Sequence, residues 1–246
     1  MKTILSRKLR LASLGVLGLG AVALILAYQS KATSQEGRQG FTLYSTMTTI
    51  TPDGSQAITG TRIRHQRADG TFKQVTNYLA PDGTVTKTDI LFGAPNRGVF
   101  LVDETDKKIE FISSLSEKSI ALSEQDLHSG HRNIVREDTL MGYKVLVARV
   151  GDDSTYTELY HAPSLMGFQI KTVSASPTST LKIEPTKIVP GNPAPSELAN
   201  VPRYPMSYVL FEEKIKNVEE RGGAEAAQQM RETLRAAKNA SPHNDR

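Results

Sequence analysis

Three Asp-Gly dipeptides, Asp53-Gly54, Asp69-Gly70 and Asp82-Gly83, restrict the fold of this chain more than any other feature of its sequence. Glycine adopts the positive φ angles that tight hairpin turns require, and Asp-Gly is a typical pair in such turns. The dipeptides follow one another at intervals of 16 and 13 residues, and the segments between them are rich in Thr, Val, Ile, Tyr and Phe. This spacing predicts an antiparallel β-meander. Its predicted strands are 41–50, 56–67, 71–80, 84–92, 98–103 and 107–113.

A second group of β-segments begins at residue 143. Its predicted strands are 143–150, 155–161, 167–174 and 179–189. Pro185 lies in the last of them, and because proline donates no amide hydrogen bond, we expect that strand at a sheet edge or broken at Pro185. The segments lack the strand–helix–strand spacing of a doubly wound nucleotide-binding fold. The predicted class is therefore mainly β (α+β): a curved antiparallel sheet or half barrel with C-terminal helices.

Two segments do not have the pattern of strands. In the ambiguous region 114–134, Ser123 precedes Asp126 by three residues, which predicts a short helix carrying Leu127. Residues 190–205 contain five of the twelve prolines of the chain, which predicts an extended, non-helical connector.

Two helices are predicted after the connector, separated by Gly222-Gly223. Each has one apolar stripe at helical spacing. The stripes consist of Tyr208, Phe211, Ile215 and Val218, then Ala227, Met230, Leu234 and Ala237. We expect the first helix to pack on its own sheet. The second stripe is mostly alanine, so that helix is expected to bury little and to be a solvated tail or a docking element.

The start of the chain has the layout of an export signal. Four basic residues within positions 2–10 precede an uncharged, mostly apolar run at 11–28. A helix of this length spans about 27 Å, close to the hydrocarbon thickness of a bilayer. Small residues at Ser30 and Ala32 also suit cleavage after Ala32, so a cleaved signal and a membrane anchor both remain open. Either one exports the rest of the chain to the periplasm.

The same segment explains the net charge of +4. Residues 1–32 hold five basic and no acidic residues, which leaves 25 basic and 26 acidic residues in the remainder. We therefore predict no nucleic-acid partner. The chain has no cysteine, which excludes disulfides, thiolate metal sites and a cysteine nucleophile. The predicted organisation is a signal or anchor at 1–32, a β-domain at 33–205, a helical extension at 206–240 and a disordered tail at 241–246.

No motif of a common enzyme class occurs, whether a G-x-S-x-G elbow, a Walker loop, an H-E-x-x-H pair or an EF-hand loop. We expect a protein that is not an enzyme, and assign no catalytic, cofactor-binding or metal site. The strongest metal candidate is the pair His128 and His131, although Gly130 between them weakens the helix that an i, i+3 pair needs. Three acidic residues lie close to it in sequence: Asp126, Glu137 and Asp138. Whether the pair binds a metal stays open.

Other polar residues have structural interpretations. Arg62, Arg64 and Arg67 surround His65 and are expected to point outward as a charged face that prevents edge pairing, with an anionic head-group site as the alternative. His65 and His161 are expected to face solvent or to pack. The acidic residues of 103–106 and 152–153 are predicted to stabilise turns through local hydrogen bonds rather than to form catalytic pairs.

Residues 41–205 resemble the periplasmic lipoprotein-carrier superfamily of the LolA and LolB type. The resemblance rests on the signal-like start, the Asp-Gly hairpins, the pairing of 143–150 with 155–161 through a Gly-Asp turn, and the segment SELANVPRY at 196–204. It implies a half barrel closed on its concave side by helices, with an apolar cavity for a lipid, an acyl chain or a hydrophobic peptide. No functional residue of the superfamily carries over to a position of this chain.

Two functional hypotheses follow. The first is a noncatalytic cell-envelope protein that binds a lipid or other apolar ligand in a half-barrel cavity. The second is a membrane-tethered sensor or scaffold that docks an envelope protein partner through its C-terminal helices. A hydrolase is a distant third, because no nucleophile and base pair can be named.

Overall fold

A computed structural model describes residues 39–95, 97–114, 123–129, 133–199 and 202–239. Within these ranges the chain forms one curved, unclosed sheet of twelve strands and four short to medium helices. The strands are β1 (Phe41–Ile50), β2 (Gln56–Gln66), β3 (Phe72–Leu79), β4 (Val85–Ala94), β5 (Gly98–Asp103), β6 (Lys108–Ser113), β7 (Ile134–Leu140), β8 (Tyr143–Gly151), β9 (Tyr156–Ala162), β10 (Phe168–Ser176), β11 (Ser179–Pro190) and β12 (Met206–Ser207). The helices are α1 (Glu124–Ser129), α2 (Pro195–Leu198), α3 (Val209–Glu220) and α4 (Ala224–Asn239).

The sheet consists of two antiparallel meanders joined along β1 and β11. The strand order is β12-β6-β5-β4-β3-β2-β1-β11-β10-β9-β8-β7. The Asp-Gly turns connect β1 to β2, β2 to β3 and β3 to β4, with Gly54, Gly70 and Gly83 at positive φ. The predicted class and the ten predicted strands are confirmed, with boundaries shifted by at most two residues.

Two strands, the short helix α2 and a single 3-10 turn at Pro163–Leu165 were not predicted. β7 lies next to β8 at one edge of the sheet, and β12 forms a two-residue parallel pair with β6 at the other. The connector 190–205 was predicted to be non-helical, which is wrong at α2. There Pro195 occupies the first turn, where its missing amide proton costs no hydrogen bond, and Glu197 accepts a bond from the Ala194 amide. The predicted short helix around Leu127 is confirmed as α1.

Of the two alternatives predicted for Pro185, the sheet edge is wrong, and the structure instead has an irregularity of the strand at this residue. β11 lies inside the sheet, between β1 and β10, rather than at an edge. Its pairing with β10 extends only to Ile183, and its register against β1 shifts between the pairs Tyr44–Lys187 and Ser45–Pro185. This bulge accommodates the proline in an interior strand.

The sheet curves toward one face, which we call the inner face. Cross-strand partners lie on the same side of a sheet, so the register places Phe41, Leu43, Arg64 and Phe72 together on it. One core joins side chains of β1 to side chains of β8, four strands away, across this curvature. We call it the main core, and its buried members are Phe41, Leu43, Val145, Val147, Tyr160, Ala162, Leu165, Met166 and Ile170.

The C-terminal helices pack on the opposite, outer face. Phe111 and Phe100 are cross-strand partners on that face, and the Phe111 ring lies 4.9 Å from the ring of Phe211 in α3. The resulting helix core consists of Phe111, Phe211, Ile215, Ala227 and Leu234. Both predicted stripes are confirmed, but α4 is not a solvated tail, because Ala227 is fully buried and Leu234 is 9% exposed. The helices also lie on the outer face, not on the concave side that the resemblance implies.

The predicted export segment at 1–32, with its apolar run at 11–28, and the predicted tail at 241–246 lie outside the described residues. Within the part of the chain that the structure describes, none of the helices has the length and apolarity to cross a bilayer.

Candidate ligand-binding face

The arginines of β2 point into the fold rather than away from it. Arg64 is 8% exposed and Arg62 is half-buried, so the prediction of an outward charged face is wrong for both. Residues 62–66 of the strand are buried or half-buried, and the polar residues at 62, 64 and 66 alternate onto the inner face. Arg67 follows the end of β2 and forms a surface ion pair with Asp69 at 3.2 Å.

Arg64 is held by aromatic rings and by one amide. Its guanidinium carbon lies 3.4 Å from the centroid of the Phe72 ring and 5.0 Å from that of Phe168. Its Nε and Nη2 donate to Oε1 of Gln66 at 3.2 and 2.7 Å. Burial, with the charge of Arg62 as a smaller cause, lowers the pKa of Arg64 well below its usual range. Its position is therefore fixed without a carboxylate partner among the described residues.

Arg62 lies beside a buried serine hydroxyl. Ser45 of β1 is its cross-strand partner and is 3% exposed. The Oγ atom of Ser45 and the Nε and Nη2 atoms of Arg62 are buried, and no hydrogen-bond partner for them exists within the described ranges. Burial lowers the pKa of Arg62 to about 10, so the side chain stays charged at neutral pH. Buried polar atoms without a hydrogen-bond partner are uncommon in folded proteins.

The inner face continues from the arginines into apolar side chains. One cross-strand row crosses six strands and consists of Leu43, Arg64, Gln74, Leu91, Leu101 and Glu110. Leu91 and Leu101 are half-buried, so other side chains cover this part of the sheet only partly and the rest of it is exposed to water. It offers an apolar surface next to two buried positive charges.

The acidic groups on the inner face already have basic partners. Oδ1 of Asp89 lies 2.9 Å from Nζ of Lys87. Oε1 of the buried Glu110 lies 3.0 Å from Nζ of Lys108, although neither carboxylate oxygen accepts a hydrogen bond within the described residues. The hydroxyl of Tyr78 neighbours Asp89, and burial together with that carboxylate raises the pKa of Tyr78 to about 12. These groups are therefore not partners for the two arginines.

The candidate metal cluster is an ion-pair cluster. The structure brings His128 together with Glu124 and Glu137, whose ligand atoms all lie within 4.8 Å of one another. Nζ of Lys144 lies 2.6 Å from Oε1 of Glu124 and 3.2 Å from Oε2 of Glu137, where it forms an ion pair with each carboxylate. This contact lowers the pKa of Glu124 and raises that of Lys144. His131 and Gly130 lie outside the described residues, and Asp126 instead accepts a bond from the hydroxyl of Ser123, at 2.6 Å.

The remaining polar predictions can be placed. Asp103 and Asp152 accept backbone amide bonds within their turns at 2.8 to 3.0 Å, as expected for turn residues. His161 is buried with Nδ1 2.9 Å from the carbonyl oxygen of Gly167, which is a packing role. His65 lies on the outer face, where burial lowers its pKa and the nearby Glu197 opposes this.

An anionic head-group site at these arginines was predicted only as the alternative, and that prediction did not include Ser45. The alternation of β2 showed that Arg62 and Arg64 share a face, but that face was expected to point outward. One signal in the sequence could have indicated arginines without carboxylate partners. Residues 41–52, which include the strand β1 that pairs with β2, contain no acidic residue.

Comparison with known protein families and with curated proteins finds no match for this chain. Several solved structures are similar in part. The alignment with the crystal structure of MucB in complex with MucA(peri) covers 70% of this chain and 58% of the chain in that structure, at 14% identity and a TM-score of 0.39. LprF from Mycobacterium bovis aligns with 65% of this chain and 89% of its own, at 11% identity and a TM-score of 0.29. The alignment with a DUF1329 family protein from Desulfovibrio piger covers 63% of this chain and 87% of that protein's chain, at 9% identity and a TM-score of 0.31.

Proposed function

We propose that this chain is an exported, noncatalytic cell-envelope protein that holds a lipid or another apolar ligand against the inner face of its curved sheet. The export part rests on the basic start and the apolar run at 11–28. The binding part rests on one observation: the half-buried Leu91 and Leu101 lie on the inner face of a sheet that curves but does not close. A concave apolar surface of this kind suits a hydrocarbon chain, which needs no hydrogen-bond partner.

The test is lipid extraction and mass spectrometry of the full gene product, purified from the membrane and soluble fractions of expressing cells. We expect a bound lipid, and we expect Leu101→Gln to reduce its amount because an amide is poorly solvated by acyl chains. Val85→Gln is the matched control, since Val85 is 57% exposed on the neighbouring strand β4. A wild-type protein that carries no lipid above the level of a mock purification would contradict the proposal. The mass of the N-terminal peptide from each fraction would separate a cleaved signal from a retained anchor.

A second candidate function is the docking of a protein partner through the helices. It is favoured by Val209 and Leu210, which are 52% and 37% exposed in the first turn of α3. Removing 222–246 is a poor test, because it would remove Ala227 and Leu234 from the helix core. Leu210→Lys keeps that core, and retention of a stoichiometric partner by this variant would exclude the idea.

A further inference from the structure

Two neighbouring side chains on the inner face, Ser45 and Arg62, supply hydrogen-bond donors that nothing in the described chain accepts, and a third side chain beside them, Arg64, adds positive charge. Ser45 is opposite Arg62 in the register of β1 and β2, and Arg64 is the next inward residue along β2. Ser45 is 3% exposed and Arg64 is 8% exposed. The unpartnered atoms are Oγ of Ser45 and Nε and Nη2 of Arg62, all of them buried. Burying donors and positive charge without an acceptor is unfavourable, so folded proteins rarely retain such groups without use.

The chemistry of these donors selects the ligand. A guanidinium presents a planar fork that matches the two oxygens of a carboxylate or the oxygens of a phosphate. Arg64 adds a second positive charge next to it, held in place by the ring of Phe72 and by Oε1 of Gln66. The site is therefore preorganised for a single anionic group and unsuited to a cation.

The chain itself does not supply that anion from the described part of the inner face. The carboxylates there belong to Asp89 and Glu110, and each already faces a lysine, Lys87 at 2.9 Å and Lys108 at 3.0 Å. Arg62 is half-buried, so part of its side chain faces solvent, and a ligand that reaches the buried Nε and Nη2 must displace neighbouring side chains. Leu91 and Leu101 continue the same face in the row of Arg64. An anion bound at the arginines can thus carry an apolar chain along the leucines.

We infer that Ser45, Arg62 and Arg64 form the head-group subsite for an amphipathic ligand whose head is a carboxylate or a phosphate. This inference rests on the proposed function and specifies the ligand class of the same face. In this arrangement Arg62 and Ser45 donate to the head-group oxygens, and Arg64 contributes charge while it stays stacked on Phe72. The apolar tail lies over Leu91 and Leu101.

Calorimetric titration of the full gene product at neutral pH tests the subsite with three probes. Decanoate carries both head and tail, decanol carries the tail alone, and acetate carries the head alone. We expect decanoate to bind at least tenfold more tightly than either of the others. Arg62→Gln should weaken decanoate binding at least tenfold and leave decanol binding unchanged. Protein extracted from membranes is titrated in a nonionic detergent, with protein-free micelles as the blank.

Two further variants keep the test valid if Arg62→Gln folds poorly. Ser45→Ala removes an unpaired hydroxyl, so it should fold with an unchanged or higher melting temperature and still bind decanoate more weakly. Arg67→Gln is the matched control, because Arg67 pairs with Asp69 at the surface and should not affect any probe.

Each contrary outcome has its own meaning. Equal affinities for decanoate and decanol, or unaltered decanoate binding by Arg62→Gln and Ser45→Ala, would overturn the head-group subsite and leave the proposed function standing. Acetate that binds as tightly as decanoate would overturn the amphipathic ligand in favour of a free anion. If neither decanoate nor decanol binds the wild-type protein, the proposed function fails together with the subsite.

Discussion

Gly93 shows how one missing side chain positions a charged group on another strand. Gly93 of β4 is the cross-strand partner of Phe72 of β3 on the inner face. A Cβ atom at Gly93 would lie 2.6 Å from Cε1 of Phe72 and 2.9 Å from the carbonyl oxygen of Gly98. The Phe72 ring occupies this space, and the guanidinium of Arg64 stacks on the ring. The absence of a side chain at Gly93 therefore determines the position of the Phe72 ring on which Arg64 stacks.

We expect Gly93→Ala to lower the free energy of unfolding by about 1–3 kcal/mol, because the added methyl group overpacks a site closed by backbone as well as by a ring. Urea denaturation monitored by far-UV circular dichroism measures the change. In the double variant Phe72→Leu/Gly93→Ala the smaller side chain makes room for the methyl group. The combined loss should then be smaller than the sum of the two single losses. If the two single losses in stability were strictly additive in the double variant, the position of the Phe72 ring would not depend on Gly93.

At the scale of elements, the sequence predicts what short-range chemistry determines. The Asp-Gly turns locate β1 to β4, and apolar periodicity locates α3 and α4 together with every member of their stripes in the helix core. β7 has no such pattern, because residues 135–139 are all exposed and only its ends are partly covered. The direction of the arginines on β2 also depends on the curvature of the whole sheet, which no single strand encodes.

β7 is instead tied to the sheet by an ion pair across β8. Nη1 and Nη2 of Arg136 donate to the two carboxylate oxygens of Glu158 on β9, each at 2.9 Å, and Nη2 also donates to the hydroxyl of Tyr160 at 2.7 Å. These bonds lower the pKa of Glu158 and raise that of Arg136. This bidentate ion pair joins a carboxylate that is 13% exposed to a half-exposed arginine. It anchors an edge strand that has little apolar surface of its own.

The pKa of Glu158 predicts a dependence of stability on pH. Because the folded pKa is below the unfolded value of about 4.3, the contribution of Glu158 is complete above that pH and disappears as the pH falls through the folded pKa. Glu158→Gln should therefore cost about 1 kcal/mol at pH 7, and the difference from the wild type should shrink as the pH falls below about 4.3 and through the folded pKa. Urea midpoints between pH 3 and pH 7 measure this difference in stability.

Glu220→Gln is the control, because Glu220 forms an exposed helical ion pair with Lys216, and it should change stability by less than about 0.5 kcal/mol. A difference between Glu158→Gln and the wild type that stays constant as the pH falls from 7 to 3 would contradict the assignment.

At the scale of the whole molecule, the two faces of the sheet have separate tasks. The outer face of β5 and β6 is covered by α3 and α4 and holds the helix core, built around Phe111. The inner face holds the main core at one end and the arginine and leucine row at the other. Because the helices lie on the outer face, they do not cover the inner face where the ligand is proposed to bind. The fold thus places its helical cover and its proposed binding surface on opposite faces of the sheet.

This division predicts that stability and binding can be changed independently. Leu234 of α4 is 9% exposed in the helix core, so Leu234→Ala should lower the free energy of unfolding by about 2–3 kcal/mol. The affinity for decanoate, measured well below the melting temperature, should stay within about twofold of the wild type, since no helix-core residue lies on the inner face. Arg235→Ala on the exposed side of α4 is the matched control and should change neither quantity. If Leu234→Ala weakened decanoate binding as much as Arg62→Gln does, the two faces would be coupled through the sheet, and the helices would belong to the binding site.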